Sequence, residues 1–293
     1  IGLPAAAGGD DDDGYRAGMV FTSTNAPGGN ELLVYASGDN GQLTLRASLP
    51  TQGLGTGGGL GNAGAITLSG NKRFLFVVNA ASNTVSTFAI RRNGLTLESS
   101  VDSGGLRPVS VTEHDGLVYV LNADGAGNVA GFRNQGGTLT PLAGSVRGLS
   151  AAGSTGPAQV GFSPDGDVLV VTEKATNKLT TYRVRADGRI GAPLVTASSG
   201  VTPFGFAFDP RGTLLVTEAF GGAANASTVS SYGFSGPASI TPVSISPTVP
   251  TFQTAACWVV VTPNGRYAYT TNAGSGTLSS YAVHKSGQIA LVH

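Results

Sequence analysis

The sequence is poor in cysteine, in charge and in long hydrophobic runs. Cys257 is the only cysteine, so the chain can form neither an internal disulfide nor a cysteine-based zinc site. Charged residues make up 12% of the chain and the formal net charge is +0, which leaves no basic surface of the kind that binds a nucleic-acid backbone. The apolar runs, such as residues 255–261, are far shorter than the roughly 20 residues of a membrane-spanning helix. We therefore expect neither nucleic-acid binding nor a membrane span.

Glycine is abundant instead, with 45 residues in a chain of 293, about twice the usual ~7%. The composition of residues 1–17 predicts a flexible acidic segment, followed by a single domain over residues 18–293. Four consecutive aspartates at 10–13 lack the alternating oxygen ligands of a calcium loop, so no metal is assigned. The first residue, Ile1 rather than Met, and the low content of Lys and Glu favour an extracellular or periplasmic location.

A pattern of four strands recurs about every 50 residues. Six times, an apolar strand ends in a polar residue, and a second strand carrying an aromatic residue follows after a short turn. The polar residues are Asn25, Asn79, Asn122, Glu173, Glu218 and Asn272, and the aromatic residues are Tyr35, Phe88, Phe132, Tyr182, Tyr232 and Tyr281. Four strands per unit of this length are typical of a β-propeller blade. The sequence therefore predicts an all-β propeller of four-stranded antiparallel blades, with strands A to D in each blade.

The two ends of the repeat leave the blade number open. The first unit begins at strand B near Met19, and the last unit ends at strand D near Leu291. Propellers normally close by pairing strands from the two termini, because closure removes exposed sheet edges. The chain is either a six-bladed ring or a seven-bladed propeller that lacks about one C-terminal unit, and we expect the second.

Three segments go beyond a general propeller pattern: residues 53–62, 156–166 and 203–212, the last leading to Glu218. Together they resemble the seven-bladed lactonase family, which includes 6-phosphogluconolactonase-like proteins and carboxymuconate lactonizing enzymes, over residues 18–293. The resemblance implies an enzyme that hydrolyses or forms the lactone of a small, sugar-acid-like substrate at the mouth of the central channel. It implies an acidic functional residue at Glu218. The family's histidine and Arg-His positions hold Ala158, Phe204 and Gly205.

One face of the predicted propeller carries the candidate site, because the D-to-A loops and B-to-C turns meet there around the channel. Glu218 and Glu173 occupy equivalent positions in adjacent blades and are predicted as general bases. Arg107 is predicted to bind an anionic group or to stabilise an oxyanion. Predicted substrate-binding residues are Gln159, Asn79, Asn122, Asn272, Lys174, Phe204 and Trp258. The alternative is a structural role: strand-end Asn and Glu residues accept hydrogen bonds from neighbouring turns, and Trp258 packs between blades.

The remaining motifs do not support histidine-based catalysis or a dinucleotide cofactor. His114, His284 and His293 lie in turns of the opposite face or at the chain end, so no histidine base is predicted. The spacing Gly53-x-Gly55-x-x-Gly58 resembles a dinucleotide fingerprint but opens no helix, so no cofactor is predicted and the segment is interpreted as a flexible loop near the channel mouth. A second functional hypothesis is an exported, non-catalytic propeller that binds a small ligand or a protein or glycan partner.

Overall fold

The computed structural model describes residues 18–236 and 239–293. The predicted N-terminal segment and its aspartate run lie outside these residues. The described chain consists of strands and one short 3-10 helix, Phe220–Gly222. The strands are β1 Met19–Ser23, β2 Glu31–Ser37, β3 Leu43–Pro50, β4 Ile66–Leu68, β5 Phe74–Asn79, β6 Thr84–Arg91, β7 Gly94–Asp102, β8 Leu106–His114, β9 Leu117–Asp124, β10 Asn128–Gln135, β11 Thr138–Pro141, β12 Arg147–Gly148, β13 Pro157–Phe162, β14 Val168–Glu173, β15 Lys178–Arg183, β16 Leu194–Ala197, β17 Pro203–Phe208, β18 Leu214–Glu218, β19 Thr228–Phe234, β20 Pro242–Pro250, β21 Ala256–Val261, β22 Tyr267–Asn272, β23 Thr277–Val283 and β24 Ile289–Leu291.

Six antiparallel sheets follow one another in chain order and form the blades. Blade 1 has three strands, β1 to β3. Blades 2 to 6 run β4–β7, β8–β11, β13–β16, β17–β20 and β21–β24, and β12 adds to blade 3 by pairing with β10. The predicted all-β propeller blades are confirmed. Blade 1 begins at strand B, as the repeat predicted.

Apolar side chains fill the space between neighbouring blades. Strand residues alternate between the two sheet faces, and clusters of buried side chains join each blade to the next from blade 1 to blade 6. The aromatic residues that mark strand C belong to these clusters in blades 2 to 6, whereas Tyr35 of blade 1 is half-buried. The repeated aromatic residue is therefore a core residue.

The outer faces of blades 1 and 6 differ from the inner blade contacts. Within the described residues, no buried apolar cluster joins blade 6 to blade 1. Val20 and Leu45 of blade 1 and Val260, Tyr269 and Leu278 of blade 6 are exposed. No helix in the part of the chain that the structure describes is long and apolar enough to cross a membrane.

Strand A is the innermost strand of blades 2 to 6, since the A strands of adjacent blades lie against each other. β8 contacts β4 and β13, and β17 contacts β13 and β21. The loops that lead into strand A and the turns after strand B therefore surround the centre of the ring. This geometry places the candidate site at the mouth of the channel.

Candidate functional site

In blades 2 to 6, the polar residue at the end of strand B lies in a group of largely buried hydrogen bonds, called here a strand-end cluster. In blade 2, Asn79 Oδ1 accepts bonds from Thr51 Oγ1 at 2.7 Å and Asn30 Nδ2 at 2.9 Å. Asn79 Nδ2 donates to Thr84 Oγ1 at 3.1 Å and Ser86 Oγ at 2.8 Å. The amide thus connects the preceding blade's loop to strand C of its own blade.

Glu218 occupies the same position in blade 5, and its carboxylate accepts hydrogen bonds without donating any. Its donors are Ser198 Oγ at 3.2 Å, the Gly200 backbone N–H at 2.8 Å, Ser230 Oγ at 2.7 Å and the Thr228 hydroxyl. The residue is 0% exposed. Burial raises the pKa of the Glu218 carboxyl above its usual value, and the four hydrogen bonds oppose that rise.

Glu173 of blade 4 has a similar environment and is also fully buried. It accepts bonds from the Ser150 N–H at 3.0 Å, Thr176 Oγ1 at 3.0 Å and Thr180 Oγ1 at 2.5 Å, and from the Ser150 hydroxyl. These contacts favour the structural alternative for both glutamates. Their predicted catalytic role requires a state in which the carboxylate leaves its donors, and it stays a prediction.

Asn122 and Asn272 complete the series with fewer bonds. Asn122 Oδ1 accepts from Ser103 Oγ at 2.7 Å. Asn272 Nδ2 donates to Thr277 Oγ1 and Ser279 Oγ, while its Oδ1 has no hydrogen-bond partner among residues 18–236 and 239–293. The predicted substrate-binding asparagines Asn79, Asn122 and Asn272 are all buried.

A sequence signal for these clusters exists but lies in the preceding loop. The tripeptide Ser/Thr-x-Gly occurs at 51–53, 103–105 and 198–200, and it supplies the hydroxyl donor to Asn79, Asn122 and Glu218. The glycine lies against the same polar side chain. A Cβ atom at Gly53 would come within 2.3 Å of Asn79, and one at Gly200 within 2.5 Å of Glu218. Glycine is required at both places because any side chain would collide.

The channel mouth has a different composition, created by irregular A strands. The register of strand A shifts near its start in each of blades 3 to 6. Such β-bulges turn side chains away from the regular alternation. They bring Ala158, Phe204 and Cys257 of three blades into one apolar cluster. The family's histidine and Arg-His positions are thus part of, or adjacent to, a buried apolar cluster in this chain.

Lys174, Phe204 and Trp258 come together at this mouth. Lys174 Nζ lies 4.9 Å from the centre of the Phe204 ring, and the Phe204 and Trp258 rings meet edge to face at 5.9 Å. Trp258 is 43% exposed. Desolvation, reinforced by the positive charge of Arg107, lowers the pKa of the Lys174 ammonium group. We call Arg107, Lys174, Phe204 and Trp258 the mouth cluster.

Arg107 adds the second positive charge of the mouth cluster. Its guanidinium contacts Asp124 at 3.3 Å in a pair whose side chains are 39% and 53% exposed, so the interaction is weak and open to exchange. Its backbone N–H donates to Asn83 Oδ1 at 2.7 Å. Lys174 lies over the Phe204 ring, which meets the Trp258 ring, and the charge of Arg107 reaches Lys174. This combination is suited to a small anionic ligand with an apolar face.

Gln159 lies outside this group. Its side-chain amide accepts from the Phe206 N–H at 2.8 Å and donates to the Phe206 carbonyl at 3.0 Å, which fastens blade 4 to blade 5. No three His, Cys, Asp or Glu side chains of residues 18–236 and 239–293 lie together in a way that could hold a metal ion.

The propeller blades and the site at the channel mouth define the class of protein. The sequence model of the family "Lactonase, 7-bladed beta-propeller" matches residues 28–151 and 128–232. The chain therefore belongs to the seven-bladed β-propeller lactonase family. No curated protein matches the sequence.

Solved structures agree with this fold. A candidate 6-phosphogluconolactonase from Bacteroides uniformis superimposes with a TM-score of 0.70 at 16% identity, covering 97% of this chain and 82% of the other. A Lactobacillus plantarum protein has a TM-score of 0.71 at 18% identity, with 94% and 80% covered. The periplasmic gluconolactonase PpgL of Pseudomonas aeruginosa has a TM-score of 0.64 at 17% identity, with 94% and 81% covered. At these identities the similarity concerns the fold.

Proposed function

We propose that the protein hydrolyses, or in reverse forms, the lactone of a small sugar-acid-like substrate at the channel mouth. The observation that carries the proposal is the contact of Lys174 with the Phe204 ring, which itself meets the ring of Trp258, in a member of the lactonase family. The positive charge of Arg107 acts on the same lysine. The aromatic rings pack against the sugar ring. The two cations bind an anionic substituent or the oxyanion that develops on the lactone carbonyl.

In the forward reaction, water attacks the carbonyl carbon and the ring C–O bond breaks. The leaving alkoxide takes a proton, and the acid that is formed ionises and releases one proton to the solvent. Glu218, with Glu173 in the adjacent blade, remains our proposal for the general base. Its raised pKa makes the Glu218 carboxylate a stronger base than an ordinary glutamate, and the role requires that Thr228 and Ser230 release the carboxylate. The extracellular or periplasmic location is part of the proposal, supported by the periplasmic relative.

Proton release from a panel of sugar-derived and aliphatic lactones, including phosphorylated ones, tests this function. The wild type is compared with Glu218→Gln, and the fold of both is checked by circular dichroism. We expect turnover by the wild type and a loss of about 10²-fold or more in Glu218→Gln, the usual contribution of a general base. Absence of turnover with every lactone, in folded protein, would reject the hydrolase.

A non-catalytic binding propeller is the second candidate, favoured by one specific observation. The family's histidine and Arg-His positions hold Ala158, Phe204 and Gly205, two of which line the apolar cluster at the mouth. Neither side chain can act as a base, whereas the exposed ring of Trp258, in contact with Phe204, can pack against a ligand. Saturable binding of a sugar acid, measured by calorimetry in the absence of any lactone turnover, would support this function and a small-molecule partner.

A further inference from the structure

The glycine-rich segment 53–64, called here the mouth loop, crosses from blade 1 to the far side of the ring. Its first half is fastened to blade 1 at Asn25: the Asn25 side chain donates to the Gly58 carbonyl at 2.7 Å, and the Asn25 backbone carbonyl accepts from the Gly57 N–H at 2.8 Å. Gly55 lies so close to Asn25 that a Cβ atom would come within 2.0 Å of it. This half of the loop belongs to the rigid part of the molecule.

The second half of the mouth loop reaches other blades. The Gly61 carbonyl accepts a hydrogen bond from Lys174 Nζ in blade 4, and the Asn62 carbonyl accepts one from Trp258 Nε1 in blade 6 at 3.0 Å. The Ala63 N–H donates to the Ala158 carbonyl at 3.0 Å. The loop therefore covers the mouth cluster and uses the same side chains that we propose for the ligand.

A flexible joint separates the two halves. Gly58 and Gly59 are exposed, and a Cβ atom at either would meet no atom within 4 Å. The Gly58 carbonyl is held by the Asn25 side chain and the Thr56 hydroxyl, so Gly59 is the residue at which the backbone can change direction at little cost. The backbone at Gly61 and Asn62 can thus shift away from Lys174 and Trp258 while the contacts at Asn25 stay in place. On the other side of this short stretch, the Asn62 side chain on the Val109 carbonyl and the Gly64 carbonyl on the Val111 N–H keep the loop attached to blade 3.

The contact between Lys174 and Gly61 pairs a full charge with a neutral carbonyl. An anion forms a stronger hydrogen bond with an ammonium group than a carbonyl does, and Arg107 lies close enough to disfavour the charged form of Lys174. We propose that the mouth loop closes the channel mouth and that an anion, binding to Lys174 and Arg107, displaces Gly61 and opens it. The inference rests on the ligand position of the proposed function, and it does not depend on hydrolysis.

Trp258 reports this movement directly, because it is the only tryptophan of the chain. Inorganic phosphate and acetate are titrated separately at constant ionic strength, with sodium chloride as the reference salt, while fluorescence and acrylamide quenching are recorded. We expect a saturable signal and at least a twofold rise in the quenching constant as Nε1 loses its carbonyl partner. A saturable response to phosphate alone identifies a phosphate group as the ligand, and one to acetate alone identifies a carboxylate.

Three variants make the test decisive. Lys174→Met keeps the apolar stem and is expected to weaken the anion response at least tenfold, whereas Lys285→Met, in an exposed turn of blade 6, leaves it unchanged. Gly61→Ala places a Cβ atom 3.1 Å from Lys174 Nζ on a backbone with φ +60, so its Trp258 is expected to be more accessible before any anion is added. The proposal is overturned if the anion binds without a change in quenching, or if Lys174→Met responds like the wild type. If the protein hydrolyses a lactone but shows no anion-dependent change in Trp258 quenching, the loop movement is rejected and the proposed hydrolase is not.

Discussion

The strand-end clusters and the mouth cluster differ in how the hydrogen-bonding capacity of their polar groups is satisfied. Around Glu218, four donors surround one carboxylate that no solvent reaches. At the mouth, Lys174 has a backbone carbonyl and a ring face, and Arg107 has one exposed carboxylate. A polar group with all its bonds made inside the protein stabilises the fold, whereas one with exchangeable partners is available to a ligand.

The largest effect is expected from Glu218→Ala, which removes the acceptor of a strand-end cluster. The substitution removes the shared acceptor of the Gly200 N–H and of the Ser198, Thr228 and Ser230 hydroxyls. We expect a loss of about 3–5 kcal/mol in the free energy of unfolding, measured by urea denaturation. Asp39→Ala, in an exposed turn of blade 1, is the control and should change stability by less than about 0.5 kcal/mol. Equal stability of the two variants would contradict the comparison.

Gly200→Ala should destabilise the same strand-end cluster by crowding the Glu218 side chain. The added methyl group would lie 2.5 Å from a Glu218 carboxylate oxygen, and such overpacking costs about 1–3 kcal/mol. The matched control is Gly59→Ala in the mouth loop, where no atom lies within 4 Å. Thermal melting of both variants measures the difference. A drop in Tm of similar size for both would mean that neighbouring residues shift to accommodate the methyl group at position 200.

Glu218→Gln should change the pH dependence of stability. The folded-state pKa of Glu218 is raised above that of the unfolded chain, so the folded protein holds this proton more tightly. The protonated Glu218 carboxyl therefore contributes stability to the wild type below the ordinary glutamate pKa. This contribution is lost as pH rises through the raised pKa of the folded state. Urea midpoints measured across this range should fall in the wild type, and the fall should be smaller in Glu218→Gln. Identical pH profiles would show that the carboxyl titrates normally.

The smallest effect on stability is expected at the mouth cluster. Lys174→Met removes one charge that burial disfavours, so the change should remain within about 1 kcal/mol. The lowered pKa of Lys174 also predicts that anion binding weakens at a lower pH than for an ordinary lysine, because the neutral amine no longer attracts the anion. Fluorescence titrations with phosphate as pH rises check this. Binding that persists to the usual lysine pKa would contradict it.

The blade architecture could be predicted from the sequence because the patterns that indicate it lie within short segments of the chain. Alternating strands, Pro-Gly turns and one aromatic residue per strand C establish the blades wherever the chain is read. The same reasoning put Lys174, Phe204, Trp258 and Arg107 on one face, and the structure brings Lys174, Phe204 and Trp258 into contact, with Arg107 near enough to affect the charge of Lys174.

The hydrogen-bond donors around Glu173 and Glu218 could not be predicted from the sequence in this way. Ser150 and Ser198 lie about 20 residues before their glutamates, and only the packing of consecutive blades makes them neighbours. The bulges of strand A also depend on contacts between blades, so the apolar cluster of Ala158, Phe204 and Cys257 has no local signal. The mouth loop was identified as a flexible loop near the channel, but its bonds to Lys174 and Trp258 join residues more than 100 positions apart.

The most direct test of the account is the kcat/KM of Lys174→Met for the best lactone of the panel, measured beside Lys285→Met and with Tm recorded for both. The account predicts about a 10²-fold loss in Lys174→Met, the usual contribution of one group that stabilises an oxyanion, with unchanged Tm and with full activity in Lys285→Met. Full activity in Lys174→Met would contradict the claim that the mouth cluster binds the reacting substrate.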